Sequence, residues 1–529
     1  MNCTIYTGVR FHTMDPDRPV STAMGVVGDR IAVTGSLDEC RAALGESCPV
    51  VDVPGTVAVP GFVDCHVHFG EFAMRFNTLD VWGMGYEDVL NEVKQAAAKR
   101  PRGRWITGGG WDKNVWGLGD FPSKEALDAV APDHPVALMS KDGHSMWVNS
   151  CALAAAGLCS ESADPPGGEI LRKLGSREPS GILRENAIKL VQAVIPKPTQ
   201  KELAEALRTA EKLANSLGIT SIHVPEGPDV FGAIQLLRSS GELTLRVYMM
   251  LPGDYLDDMV QLGLRTGFGD EMIRLGPIKL FADGSLGSQT AFMLEPYEDS
   301  ESFGVQVLTK DEMVKIIRRA SNCGIAVAMH AIGDAANRNA LDAFESALEF
   351  TRQWKLRHRI EHAQIVHPED LPRFHKLSLI ASVQPIHATA DRYIADLYWG
   401  ARAKYAYPFR SLLSTGAKVC FGSDAPVESM DPLKGIYAAV TRKRETEHES
   451  EPWYADELVT VYDAVYAYTA GAAYASGEEE TKGVLRPGML ADFVSLSHDI
   501  FEAEPEVLRE ARVNMTVLGG QVVWTRPDL

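Results

Sequence analysis

No run in this chain of 529 residues approaches the roughly 20 uninterrupted apolar residues that a membrane helix needs, so no membrane partner is expected. The N-terminus, Met1-Asn2-Cys3-Thr4-Ile5-Tyr6, lacks the basic start and apolar stretch of a signal peptide and enters strand-like sequence at once. The eight cysteines contain no Cys-x-x-Cys pair, which argues against a zinc ribbon or a disulfide framework. Reduced thiols in a cytoplasmic protein are the expectation. Positive charge is in deficit, with 52 Lys and Arg against 71 Asp and Glu and a formal net charge of −19. A surface that acidic repels nucleic acid and anionic membranes. Internal repeats and low-complexity tracts are absent as well.

What is present has the composition of a globular protein, 45% apolar and 23% charged. The length exceeds one ordinary core, which points to a large domain with smaller ones attached. Short alternating pieces open the chain (Cys3 to Tyr6, Ala23 to Val27, Arg30 to Thr34 and Val50 to Val53), punctuated by Gly, Asp and Pro. The same texture returns in Asp492 to Leu496 and Val517 to Trp524. Residues 1–56 and 483–529 are therefore expected to pair into one small flanking β-sandwich domain. The acidic stretches Glu445 to Glu451 and Glu478 to Glu480 read as solvated loops.

Residues 57–482 alternate short apolar runs with helical patterns, the signature of parallel βα units. Candidate strands are Val57 to Cys65, Ile219 to Val224, Leu245 to Leu251, Ile278 to Asp283, Ile325 to Met329, Arg359 to Glu361, Leu379 to Gln384 and Lys418 to Gly422. Helical segments such as Lys201 to Leu217 and Ala335 to Phe350 separate them. Eight such units predict an α/β fold closed into a (β/α)8 TIM-like barrel. More than 150 residues separate the first strand from the second, against about 30 for a whole βαβ unit. An insertion over residues 77–198 is the expected cause. It holds Trp82, Trp105, Trp111, Trp116 and Trp147, which pack its own core or reach over the barrel mouth.

The first barrel strand ends in Gly61-Phe62-Val63-Asp64-Cys65-His66-Val67-His68. Residues i and i+2 of a strand share a face, so His66 and His68 present two imidazoles at the C-terminal rim, where barrels keep their chemistry. Later strand ends supply Lys279, His330, His362 and Asp424. Five ligand-type side chains and a lysine recurring at the same place in successive βα units point to a metal site. Lys279 has an alternative as the salt-bridge partner of Asp283. Asp334 reads equally as a helix start and as a catalytic group. His223 faces the site or sits in the core behind it, and His387 is placed to contact substrate.

Pro60-Gly61-Phe62-Val63-Asp64-Cys65-His66-Val67-His68 resembles the first-strand motif of the amidohydrolase superfamily, and Lys279, His330, His362 and Asp424 fall where that family keeps its other ligands. The resemblance narrows to the YtcJ-like branch, which includes N-substituted formamide deformylase. It rests on Gly109-Gly110-Trp111-Asp112, Asp142-Gly143-His144-Ser145-Met146-Trp147-Val148-Asn149-Ser150, Phe281-Ala282-Asp283-Gly284-Ser285-Leu286-Gly287-Ser288 and His330-Ala331-Ile332-Gly333-Asp334. Gly483-Val484-Leu485-Arg486-Pro487-Gly488-Met489-Leu490-Ala491-Asp492 is similar to the segment with which members re-enter a flanking β domain.

That resemblance implies two divalent ions, usually zinc. His66, His68 and Asp424 would hold one, His330 and His362 the other, and Lys279 would bridge them as a carbamate formed with carbon dioxide. Asp424, Lys279 and His144 are the catalytic candidates; Trp111, His144 and His387 are the candidate substrate contacts. The implied reaction is hydrolysis, by metal-activated hydroxide, of a C–N bond in an N-acyl, N-formyl or cyclic amide, with an ester or carbamate also open. Alternatives are a nucleobase-type deaminase, which usually carries a glutamate where Gly333 stands, and an inactive scaffold, which should have lost ligands. The partner is a small-molecule substrate, and a homodimer is expected from the prevalence of dimers.

Overall fold

The computed structural model describes residues 3–116, 120–141 and 143–528; Met1, Asn2 and Asp142, all read above, lie outside them. The chain forms two compact units, Met1–Gly70 with Leu207–Leu529, and Glu71–Ala206. No helix among the described residues is long and apolar enough to cross a membrane.

The first unit contains two sets of parallel strands. We label them β1 Phe62–Asp64, β2 Ile219–Val224, β3 Arg246–Met249, β4 Ile278–Phe281, β5 Val327–Ala331, β6 Arg359–His362, β7 Ile380–Val383 and β8 Lys418–Phe421. One sheet runs β1-β2-β3, with Ile273–Leu275 at its edge; the other runs β4-β5-β6-β7-β8. Their residues are almost all buried, because helices cover the outer faces of parallel strands. Backbone bonds join the sheets at both edges: Lys279 N–H donates to Leu251 at 2.8 Å, and Cys65 N–H to Phe421 at 3.1 Å. Helices follow the strands for local reasons. Lys310–Asn322, for example, starts at a Thr309–Glu312 capping box and buries Met313, Ile317 and Ala320 on one face.

The expected first strand is two strands. Val57–Pro60 pairs antiparallel with Phe493–Leu496, while β1 pairs with β2. The chain changes sheets at Gly61, where a Cβ would lie 2.3 Å from Thr220 Oγ1. Helix Ala335 to Phe350 likewise divides, into Asp334–Glu345 and Leu348–Trp354. Glu478 is a further correction: it is buried and paired with Lys482 at 3.0 Å rather than solvated.

Both chain ends meet in one region. A four-stranded sheet takes Arg30–Gly35, Ala23–Val27, Cys3–Thr7 and Val50–Asp52, and a six-stranded sheet takes Gln521–Thr525, Val513–Leu518, Phe493–Leu496, Val57–Pro60, Arg10–His12 and Val20–Ser21. Tyr6, Phe11, Met24, Phe493 and Val517 share their core. The expectation of reduced cysteines fails here. Parallel pairing sets Ile5 opposite Val50, which brings Cys3 and Cys48 to a Cα separation of 5.8 Å and into a disulfide. The other six cysteines are free thiols.

The Glu71–Ala206 unit is built on a mixed six-stranded sheet, Gly168–Arg172, Pro179–Glu185, Ser145–Val148, Val136–Ser140, Ile106–Trp111 and Leu79–Asp80. Its core gathers Trp111 and Trp147 with Val89, Val93, Leu127 and Leu138, while Trp116 packs against it.

Candidate metal centre

Five strand ends deliver the candidate ligands, with Lys279 on β4. His66 and His68 follow β1, His330 lies on β5, His362 closes β6, and Asp424 follows β8. His362 and Asp424 have φ of 73° and 58°, left-handed values that non-glycine residues rarely hold and that cluster at functional sites. Asp424 is fixed by its N–H, which donates to His66 O at 2.7 Å. A glycine is required just before it, since a Cβ at Gly422 would lie 2.6 Å from the His66 nitrogen.

Asp424 stands among three imidazoles. Its Oδ1 lies 3.6 Å from His66 Nε2 and 3.3 Å from His68 Nε2, and its Oδ2 lies 3.8 Å from His387 Nε2. The ligand-capable atoms of His66, His68 and Asp424 fall within 4.8 Å of one another, as do those of His362, His387 and Asp424. His330 joins neither trio. Its ring packs 4.6 Å from that of His362, and its Nε2–H donates to Gly284 O at 2.9 Å, which leaves Nδ1 as its ligand-capable atom. Lys279 Nζ sits 3.4 Å from His66 Nε2. His68, Lys279, His330, His362, His387 and Asp424 border a cavity of about 410 Å³ that also takes Phe281, Leu286, Gln364 and Asp391 into its wall, with His66 buried behind it.

The donor set fits divalent cations. Burial pulls His66 down to about 4 and His330 to about 3, with the Lys279 charge adding to both, and His362 moves the same way. All three are therefore neutral imidazoles near pH 7, the form that ligates metal. Burial alone would raise Asp424, but the His68 hydrogen bond and the surrounding imidazoles hold it well below the carboxylate range. Burial also draws Lys279 down to about 8.

Sequence reasoning missed the groups behind these ligands. His66 Nδ1 lies 2.6 Å from the buried Glu361 carboxylate, and His362 Nδ1 lies 2.9 Å from Gln384 Oε1. Each contact reserves Nε2 for the cavity side. Asp64 accepts the Ser423 hydroxyl at 2.5 Å and the His66 N–H at 3.1 Å, bracing the two strand ends that carry ligands. The available signal was Arg359-Ile360-Glu361, two opposite charges on one face of an apolar strand.

Other expectations resolve differently. Asp283 is not the partner of Lys279: it accepts three backbone N–H groups, from Phe292 at 2.9 Å, Ile332 at 3.0 Å and Gly333 at 2.8 Å. Asp334 begins its helix and accepts from Leu294 N–H at 2.8 Å, the structural of its two readings. His223 lies behind the site and accepts from Arg359 at 2.9 Å. At Gly333 a Cβ would lie 2.0 Å from Phe292 O, so the glutamate of the deaminase alternative has no room there. Within the Glu71–Ala206 unit, Trp111 is 2% exposed and donates through Nε1 to Leu138 O at 2.8 Å. His144 Nδ1 pairs with Glu185 at 3.1 Å, and His144 and Trp111 border a cavity of that unit with Trp82 and Lys141.

Residues 49–524 match the model of the amidohydrolase family. The chain belongs to that family. Protein LONG AFTER FAR-RED 3 of Arabidopsis thaliana is 34% identical over 98% of this chain and 91% of its own length. The putative amidohydrolase YtcJ of Bacillus subtilis is 32% identical over 99% of each chain. N-substituted formamide deformylase of Arthrobacter pascens is 27% identical over 97% of each. Among solved structures, an uncharacterised metal-dependent hydrolase from Pyrococcus furiosus superposes with a TM-score of 0.79 at 30% identity, covering 95% of this chain and 100% of that one. This amidohydrolase is thus YtcJ-like along nearly its whole length, and its buried His/Asp groups are candidate metal sites.

Proposed function

We propose that the protein hydrolyses the C–N bond of a small amide-type substrate, N-acyl, N-formyl or cyclic, at a centre for two divalent cations in the cavity beside Asp424. The observation that carries this reading is Asp424 itself, a buried carboxylate with an oxygen 3.3 Å from His68 Nε2 and the other 3.8 Å from His387 Nε2. We read the two parallel sheets as one closed (β/α)8 barrel, supported by the bonds joining both edges. Residues 1–56 and 483–529, joined by the strand Val57–Pro60, then form the flanking β domain.

His66, His68 and Asp424 would hold one cation, His330 Nδ1 and His362 the other, with Lys279 bridging as a carbamate. The cations, zinc in our reading, would supply Lewis acidity toward the carbonyl and activate water for attack. Asp424 accepts the proton of the attacking water and returns it to the leaving nitrogen. His387 Nε2, buried and without a hydrogen-bond partner among the described residues, is positioned to donate to the oxygen that gains charge.

The test is elemental analysis of protein reconstituted with Zn²⁺, followed by a panel of N-formyl, N-acyl, cyclic amide and carbamate substrates. Two equivalents of metal and turnover of an amide are expected. One equivalent at saturation removes the paired centre, and turnover confined to esters removes the C–N assignment.

A further inference from the structure

Arg359 and Glu361 occupy alternate positions of β6 and are both fully buried. Alternate residues share a face, so one short strand turns a cation and an anion toward the same interior. A buried ion pair is a poor device for stability, because removing both charges from water offsets most of their attraction and apolar residues of similar volume serve as well. The contacts suggest another purpose.

The guanidinium lies along both carboxylate oxygens: Nε donates to Glu361 Oε1, and Nη2 lies 3.0 Å from Oε2. It is itself moored to three other strands. Nη2 donates to Cys65 O beyond β1 and to Ser382 Oγ on β7, each at 2.6 Å, and Nη1 donates to His223 Nδ1 on β2 at 2.9 Å. The carboxylate so held reaches across the interior to His66 Nδ1 at 2.6 Å, although β6 neighbours β1 in neither sheet.

We propose that Glu361 is the positioning residue that fixes the orientation and tautomer of His66, and that Arg359 is the clamp that aims Glu361 at it. A carboxylate gripped from one side by a guanidinium can only accept from the ring on the other. His66 Nδ1 must then carry the proton, and the Nε2 lone pair faces Asp424 Oδ1 at 3.6 Å and Lys279 Nζ at 3.4 Å. The opposite tautomer would point an N–H at the place where a cation held by His66 would sit. The proposal rests on reading His66 as a cation ligand, while the tautomer itself is measurable without metal.

The experiment uses metal-free protein carrying ring-¹⁵N histidine, with His66→Gln to assign the His66 resonances, and a chromophoric chelator to compete for Zn²⁺. Wild-type His66 is expected as the Nδ1–H tautomer. Glu361→Asp keeps its charge beside Arg359 but withdraws the carboxylate from the ring; it should fold, give mixed His66 tautomers and bind the tighter Zn²⁺ about 10–100-fold more weakly, the usual consequence of losing such a partner. Glu361→Gln, which keeps an acceptor at full length, should recover part of both. Arg359→Lys retains the charge but not the fork, and should shift the same resonances should the aspartate variant not fold. An Nε2–H tautomer in the wild type, or unchanged tautomer and Zn²⁺ affinity in a folded Glu361→Asp, overturns the proposal. Wild-type protein that binds no Zn²⁺ would instead overturn the cation reading, with the tautomer still deciding whether Glu361 governs the ring.

Discussion

The Asp424 carboxylate meets His68 Nε2 at 3.3 Å from a left-handed backbone position, φ 58°. Replacing Asp424 with Asn keeps the shape and removes the base. Turnover should fall by about 10²-fold or more, the usual share of a general base. Metal content should fall less, because the histidines remain. Near-normal turnover in Asp424→Asn places the proton transfer elsewhere.

Lys279 offers a pH test. Burial brings its amine down to about 8, and only the neutral amine attacks carbon dioxide. Between pH 7 and pH 9 the neutral fraction rises from about a tenth to about nine-tenths. At a fixed concentration of dissolved carbon dioxide, recovery of activity in metal-stripped protein given Zn²⁺ should therefore be faster at pH 9 than at pH 7. Lys279→Ala should lose activity and one equivalent of metal, with partial rescue by small carboxylic acids; Lys279→Arg should not be rescued. Full metal content in Lys279→Ala removes the lysine from the cation site.

Gly333 has an ordinary φ of −68°, so only space forbids a side chain there. Gly333→Ala would set a methyl 2.0 Å from Phe292 O and should cost at least about 1–3 kcal/mol, the range for overpacking a tight site. A lowered melting temperature checks this. Unchanged stability would mean that the segment around Phe292 yields freely.

Trp111 is a core side chain of its unit, so truncation acts on stability first. Trp111→Ala should cost about 3–5 kcal/mol in chemical denaturation followed by tryptophan fluorescence, as for other large core truncations. His144→Ala, at an exposed position, should leave stability unchanged. Its kinetics then report any role toward substrate, as a raised KM for binding or a lowered kcat for transition-state contact.

The parallel strands were legible because short apolar runs bounded by turns alternate with helical patterns, and most boundaries moved by a residue or two. His66, His68, His330, His362 and Asp424 were legible because a polar residue at the end of an apolar strand is conspicuous. The break at Gly61 was hidden, since Val57 to Asp64 is apolar throughout and only the sheet partners differ. Glu361 was hidden because its meaning depends on a ring nearly three hundred positions away in sequence. The Cys3–Cys48 bond escaped for a related reason: it depends on a parallel pairing that no local spacing announces.

Val57–Pro60, which leads directly into β1, finds its sheet partner in Phe493–Leu496. The segment that leads into His66 and His68 is therefore held from a place far downstream in sequence. A substitution that loosens Phe493–Leu496 should disturb the candidate ligands without touching either of them.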